Sequence, residues 1–78
     1  MARELREIFE HNLRRAATAK GLSLVMIANR AGLTTEQLAA IFAGTFDPDL
    51  NVLNAIAEAV GTPLSELFYD PEQDPRLN

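Results

Sequence analysis

The chain has 78 residues, of which 47% are hydrophobic, and its formal net charge is −4. This length allows one domain with a single modest core, and the apolar content excludes a disordered chain. Cysteine is absent, which excludes disulfides and thiolate metal sites, and no long apolar run or signal-peptide h-region occurs, so a cytoplasmic location without membrane contact is expected.

An amphipathic helix is predicted first, over residues 3–20. Apolar residues recur there at three- and four-residue steps with Arg and Glu between them, and Gly21 follows as a C-terminal stop. A second helix is predicted over residues 24–31, because Ser23 can cap its first turn and Gly32 can end it. The apolar stripe of the first helix comprises Leu5, Ile8, Phe9, Leu13 and Ala16 or Ala17.

A tight turn of only three residues, 32–34, separates the second predicted helix from the third. Thr34 and Gln37 fit the capping box S/T-x-x-E/Q, so the third helix is predicted to begin at Thr35 and to end before Gly44. Two short helices joined by a tight turn that contains glycine form a helix-turn-helix, here over residues 23–44. The apolar face of the third helix comprises Leu38, Ile41 and Phe42.

Two further helices are predicted after a loop over residues 45–49. Asp49 can cap a fourth helix over residues 50–60, and Thr62 is expected to cap a fifth helix with Pro63 at its first helical position. The fourth helix is expected to bury Leu50, Leu53, Ile56, Ala57 and Val60.

The whole chain is therefore predicted to be all-α, with a helix-turn-helix domain over residues 1–69. The remaining segment, residues 70–78, has two prolines and no periodic apolar face, so we expect it to be a flexible tail. Phe42 completes an apolar stripe and is expected in the core. Phe46 has no helical stripe to join, so it is expected either in a satellite core beneath the loop or in contact with a partner.

Seven fragments follow one another along the chain in a characteristic order: Leu13-Arg14-Arg15, Lys20-Gly21-Leu22-Ser23, Ile27-Ala28-x-x-Ala31-Gly32-Leu33-Thr34, Ile41-Phe42-x-Gly44, Asp47-Pro48-x-Leu50-x-x-Leu53, Ile56-Ala57-x-Ala59-x-Gly61 and Pro63-Leu64-Ser65-Glu66-Leu67-Phe68. In this order and spacing they resemble the Cro and phage-repressor, or XRE, family of helix-turn-helix proteins. The resemblance implies a five-helix, lambda-repressor-like bundle that is usually homodimeric and binds a palindromic operator.

The same resemblance implies which positions face DNA: the start of the second helix and the outer face of the third. In this chain those positions hold Ser23, Leu24, Thr34, Thr35, Glu36, Gln37, Ala39, Ala40 and Ala43, with Thr45 in the following loop. Leu24 stands where family members often have Gln, and Ala40 and Ala43 stand where they often have Arg or another polar residue.

Four polar side chains at the start of the third helix can contact DNA. Gln37 can pair with adenine through its amide, Glu36 can accept a hydrogen bond from cytosine, and Thr34 and Thr35 can bond phosphate or cover a thymine methyl. Three of them also have a structural interpretation that stays open, because Thr34 and Gln37 can cap the helix and Glu36 suits the helix dipole.

Positive charge is confined almost entirely to the first half of the chain. Residues 1–33 contain six Arg or Lys and three Glu, whereas residues 34–75 contain eight acids and no base. Phosphate contacts must therefore come from the first half. The candidates are Arg14, Arg15, Lys20 and Arg30, and the pair Arg14-Arg15 is preferred because no acid follows it at i+3 or i+4.

The expected function is that of a DNA-binding transcriptional regulator, a repressor that inserts its third helix into the major groove of a palindromic operator as a homodimer. By family analogy, Leu64, Phe68 and Tyr69 are expected at the dimer surface. The alternative is a protein-interaction module in which the alanines of the third helix and Phe46 bind a toxin, a second regulator or a polymerase subunit. A third possibility is DNA binding only within a larger assembly.

Catalysis, cofactors and metals are not expected. His11 is the only histidine, and no second histidine or cysteine is present to complete a metal shell. A Ser/His/Asp set, a glycine-rich phosphate loop and a buried acid pair cannot be assembled from this sequence either.

Overall fold

The computed structural model describes residues 3–73. Within them the chain forms five α-helices and a short 3-10 helix, with no strand. The five helices are α1 (Arg3–Lys20), α2 (Leu24–Ala31), α3 (Thr35–Ala43), α4 (Leu50–Val60) and α5 (Leu64–Leu67), and the 3-10 helix is Pro71–Gln73. The predicted all-α class and the predicted bounds of the first four helices are confirmed.

Local capping explains why these bounds could be predicted. The Ser23 hydroxyl accepts a hydrogen bond from Met26 N at 3.1 Å, and the Asp49 carboxylate accepts one from Val52 N at 2.9 Å. Gly32 ends α2 with φ 75°, in the left-handed region that glycine enters without a Cβ penalty. The turn to α3 is thereby fixed by residues close together in the chain.

The predicted start of α5 is wrong. Pro63 has φ −57° and ψ 141°, which is extended rather than helical, and the helix begins one residue later, at Leu64. Thr62 does not cap it, because its hydroxyl lies 3.4 Å from Lys20 Nζ at the end of α4. Pro63 stands at the N-cap position instead, where its carbonyl oxygen accepts from Glu66 N at 3.0 Å and from Leu67 N at 3.3 Å.

The core lies where the five helices meet. Phe9 of α1 is fully buried and stacks on Phe68, with ring centroids 5.2 Å apart, which ties α1 to the segment that follows α5. The buried apolar side chains are Phe9, Leu13, Ala17, Ile27, Ala28, Leu38, Ile41, Ile56, Ala57, Ala59, Val60 and Leu67.

Leu50 is a second correction, because it is 65% exposed instead of buried. It is the first residue of α4, and the buried residues of that helix all lie between Ile56 and Val60. Leu53 is only half-buried. The C-terminal half of α4 therefore packs into the core, whereas its first turn is only partly covered, through Val52 and Leu53, and leaves Leu50 exposed.

The segment after α5 is held against the middle of α1. Asn12 Nδ2 donates to the carbonyl oxygens of Leu67 and Tyr69, each at 2.9 Å, and to that of Glu66 at 3.3 Å. The 3-10 helix Pro71–Gln73 occupies the start of the predicted flexible tail, and residues 74–78 of that tail lie outside the described residues. No helix of the described part of the chain is long and apolar enough to cross a membrane.

Candidate nucleic-acid interface

The helix-turn-helix buries one face of each of its two helices and exposes the other. Ile27 and Ala28 of α2, and Leu38 and Ile41 of α3, all belong to the core, and Leu33 N bonds back to Ala28 O at 2.8 Å across the turn. The exposed positions are Ser23 at the start of α2 and Thr34, Thr35, Glu36, Gln37, Ala39 and Ala43 on α3. Most of the predicted DNA-facing residues are therefore accessible to solvent.

The predicted capping box is present at the start of α3. Thr34 Oγ1 accepts from Gln37 N at 3.0 Å, and Gln37 Oε1 accepts from Thr34 N at 2.8 Å. These two bonds fix the orientation of the first helical turn and satisfy two of the backbone N–H groups there. Glu36 lies in the same turn, where its charge suits the helix dipole.

Two of the predicted DNA-facing positions are less accessible than the others. Ala40 is half-buried, and its carbonyl oxygen accepts from Thr45 N at 3.0 Å and from Thr45 Oγ1 at 3.3 Å. Thr45 is itself exposed, but its hydroxyl is used to hold the loop against the last turn of α3. Leu24 is half-buried and packs against the core, so its side chain supports α2 from the inside.

Two apolar residues are exposed in the first turn of α2, and the sequence analysis did not predict this. Val25 is 52% exposed, and Met26 is exposed as well. The signal was present in the sequence, because Leu24, Ile27 and Ala28 already complete the buried stripe at i, i+3 and i+4. Positions 25 and 26 must then point outward.

Arg14 is the candidate phosphate contact that lies against α3. Its guanidinium carbon is 5.2 Å from the centre of the Phe42 ring, in cation–π geometry. No acid follows Arg14 at i+3 or i+4, but one precedes it by four residues, and Arg14 Nε donates to Glu10 Oε2 at 2.9 Å. This pair is partly exposed and therefore weak, and no hydrogen bond within residues 3–73 uses the two terminal nitrogens of Arg14.

The other predicted cations lie elsewhere. Lys20 Nζ donates to Val60 O, to Gly61 O at 2.9 Å and to Thr62 Oγ1, so it binds the C-terminal end of α4. Arg30 Nη1 donates to Ala59 O at 3.4 Å, near the same helix end.

Arg15 borders cavities on other parts of the chain. It lines cavities formed by α1, α5 and residues 69–72, and none of the described cavities that it lines includes a residue of α3.

Arg6 is a second cation at α3 that sequence reasoning did not single out. Its guanidinium lies against Gly44, where a Cβ atom would collide with it, and it shares a cavity of about 200 Å³ with Phe46 and Asp47. A cation at a helix C-terminus is stabilised by the helix dipole. The available signal was spacing, because Arg6 and Arg14 are eight residues apart and share one face of α1.

The predicted dimer residues divide into two groups. Leu64 and Phe68 are half-buried and pack against the core of their own chain. Tyr69 is 41% exposed and lines the groove between α1 and the 3-10 helix. Phe46 is 37% exposed and is not among the side chains that pack against the core.

Taken together, the capped α3, its exposed outer face and the three-residue turn define a helix-turn-helix protein. A helix-turn-helix family model matches residues 13–67, which include α2 to α5 entirely. The chain belongs to the Cro and lambda-repressor, or XRE, type of this family, whose members are DNA-binding regulators. No curated protein and no solved structure matches the chain. Within residues 3–73, no group of three or more metal-ligating side chains occurs.

Proposed function

We propose that the protein is a transcriptional repressor that binds a palindromic operator as a homodimer, in the cytoplasm, with α3 in the major groove. The observation that carries this proposal is the polar first turn of α3, which is exposed and held rigidly by its capping box. Membership of a family of DNA-binding regulators supports it.

Base reading is assigned to Thr35, Glu36 and Gln37, which are exposed on that turn. The carboxylate of Glu36 can accept from the cytosine amino group, and the methyl group of Thr35 can cover a thymine methyl. Thr34 and the backbone amides at the helix start are suited to phosphate. The alanines on the outer face of α3 add close packing without adding charge.

Phosphate binding is assigned first to Arg14, since it is the predicted cation that contacts α3. Arg15 and Arg30 contribute in this proposal through the general electrostatic field of the first half of the chain. Ser23, exposed at the start of α2, keeps its hydroxyl hydrogen as a donor for phosphate, and the exposed Thr45 is assigned to the DNA side although its hydroxyl donates to Ala40 O.

The proposed dimer has two-fold symmetry, which places two half-sites about one helical turn of DNA apart. Tyr69 is the exposed member of the predicted dimer surface, and Leu64 and Phe68 contribute through the parts of their side chains that their own core leaves uncovered.

Selection of bound sequences from a random duplex pool, followed by binding across a salt series, tests the proposal. A palindromic motif with affinity that falls steeply as salt rises supports it, because the slope counts neutralised phosphates. Absence of any enrichment at low salt contradicts it.

Two neighbouring residues of α1 supply a matched pair of variants. Arg14→Met should reduce the magnitude of the salt slope by about 0.9, the value for one phosphate, and weaken all sequences alike. Arg15→Met removes the same charge from a residue that is assigned only a contribution to the general field, so it should change the slope less than Arg14→Met does. Equal effects of both substitutions would contradict the assignment of Arg14.

A protein-interaction module is the second candidate function, and one observation favours it. Phe46 and Leu50 are exposed at the two ends of an acidic loop that contains Asp47 and Asp49. An apolar surface with an acidic rim suits a basic protein partner better than a polyanion. The double substitution of Phe46 and Leu50 by Ser should then abolish partner binding and leave DNA selection unchanged.

A further inference from the structure

The first turn of α3 uses its hydrogen-bond acceptors for its own cap. The side-chain oxygen of Gln37 accepts from Thr34 N at 2.8 Å, and the hydroxyl oxygen of Thr34 accepts from Gln37 N at 3.0 Å. Each oxygen keeps one lone pair beside its cap bond, whereas the donors, which are the amide hydrogens of Gln37 and the hydroxyl hydrogen of Thr34, take no part in the cap.

The orientation of the Gln37 amide is determined by this contact. The oxygen and nitrogen of a glutamine amide are often assigned from the hydrogen-bond network, and here the partner is a backbone N–H, which only the oxygen can accept. The nitrogen therefore faces away from the helix terminus, and Gln37 is exposed to solvent.

The orientation of the Gln37 amide determines which base it can recognise in the major groove. Pairing with adenine needs the amide oxygen and nitrogen side by side on one base, because adenine presents one donor and one acceptor in the major groove, so the oxygen would have to be shared between the base and the cap. Guanine presents two acceptors, N7 and O6, which the two amide hydrogens can satisfy without the oxygen.

We infer that Gln37 is a specificity-determining residue that reads guanine through its amide donors while its oxygen stays in the cap. The inference rests on the proposed function, because it assigns a base to a residue of the proposed reading surface. It replaces the adenine contact that the sequence alone indicated. Glu36, an acceptor in the same turn, is suited to the amino group of a cytosine in the same half-site.

Gln37→Glu is the substitution that separates reading from capping. A glutamate at this position of a capping box can still accept from the backbone of Thr34, but its carboxylate has no donor to offer to guanine. Gln37→Ala is the companion variant, because it removes the cap and the donor together. Amide hydrogen exchange at Thr34 monitors the cap: it should stay slow in the glutamate variant and become faster in the alanine variant.

The experiment is sequence selection from a random duplex pool with the wild-type chain and both variants. The wild type should enrich guanine at one position of each half-site, and Gln37→Glu should lose preference for guanine over adenine there by about tenfold, with other positions unchanged. The added negative charge lowers binding to all sequences alike, so the relative preference at each position is the quantity compared.

A matched change in the DNA provides a second measurement. Replacing the selected guanine with its deaza analogue, which lacks the N7 acceptor, should weaken the wild type about fivefold to tenfold and leave Gln37→Glu unaffected.

Three results would overturn the inference. Enrichment of adenine at the position that the glutamate variant loses would show that the amide oxygen also binds DNA. Unchanged preferences in both variants would show that Gln37 only caps the helix. In both cases the proposed function would stand, whereas absence of any enriched sequence with the wild type would refute the proposed function and this inference together.

Discussion

Lys20→Met should destabilise the protein, because Lys20 links the end of α1 to the end of α4. Its ammonium group donates to Gly61 O at 2.9 Å, to Val60 O and to Thr62 Oγ1, where the negative end of the α4 dipole lies. Methionine keeps most of the aliphatic stem, so the substitution removes the charge and the donors but little of the packing.

The size of the effect follows from the kind of bonds that are lost. A hydrogen bond from a charged donor contributes about 1.5–3 kcal/mol, and a cation at a helix C-terminus about 0.3–1 kcal/mol. Lys20 is exposed and water can reach the carbonyl oxygens it leaves, so the lower end applies. We expect a loss of about 1.5 kcal/mol in the free energy of unfolding, and each kcal/mol lowers Tm by roughly 4–8 °C in a domain of this size.

Urea denaturation followed by circular dichroism measures this loss. Arg15→Met is the control, since Arg15 lies on the same helix and has no hydrogen bond or ion pair within residues 3–73; its unfolding free energy should stay within about 0.5 kcal/mol of the wild type. Equal stability of the two variants would refute the role assigned to Lys20. A selective loss of DNA affinity in Lys20→Met, without loss of stability, would restore Lys20 as a phosphate contact.

Gly32→Ala should cost about 1–2 kcal/mol through backbone strain alone, because φ is 75° and nothing lies within 4 Å of the added Cβ; a loss below about 0.3 kcal/mol in urea titration would contradict this reasoning. Leu67→Ala, at a fully buried position, should cost about 2–5 kcal/mol, whereas Leu50→Ala, at a largely exposed one, should cost less than about 0.5 kcal/mol. Similar melting temperatures for the two leucine variants would show that α4 is packed differently from the arrangement described.

The parts of the fold that the sequence predicted are those set by residues close together in the chain. The caps at Ser23, Thr34 and Asp49 each join residues three apart, and a glycine that ends each of the four longer helices acts on the preceding turn. The four longer helices could therefore be bounded from local patterns. Contacts across the fold could not, since Lys20 meets the end of α4 at separations of 40 to 42 residues.

The site was predicted in outline for the same reason. Helical periodicity predicted the exposed turn of α3. It does not show how far along an apolar stripe other helices cover it, so Leu50 was predicted to be buried although it is exposed. The pairing of Arg14 with Glu10 was a local signal that was overlooked, because only acids that follow the arginine were considered. The crossing angle between α1 and α3 determines which cations of α1 contact α3. A single sequence does not give that angle.

Helix α1 separates the surface of α3 from residues 66–69, which allows a label to be attached away from α3. Arg14 contacts α3, whereas Asn12 binds residues 66–69. Side chains at positions i and i+2 of an α-helix point about 200° apart. The two contacts therefore lie on opposite sides of α1. The chain has no cysteine, and Glu72 is exposed on the Asn12 side. A single cysteine introduced at position 72 therefore gives a fluorophore or a surface tether a defined attachment point from which the outer face of α3 stays clear.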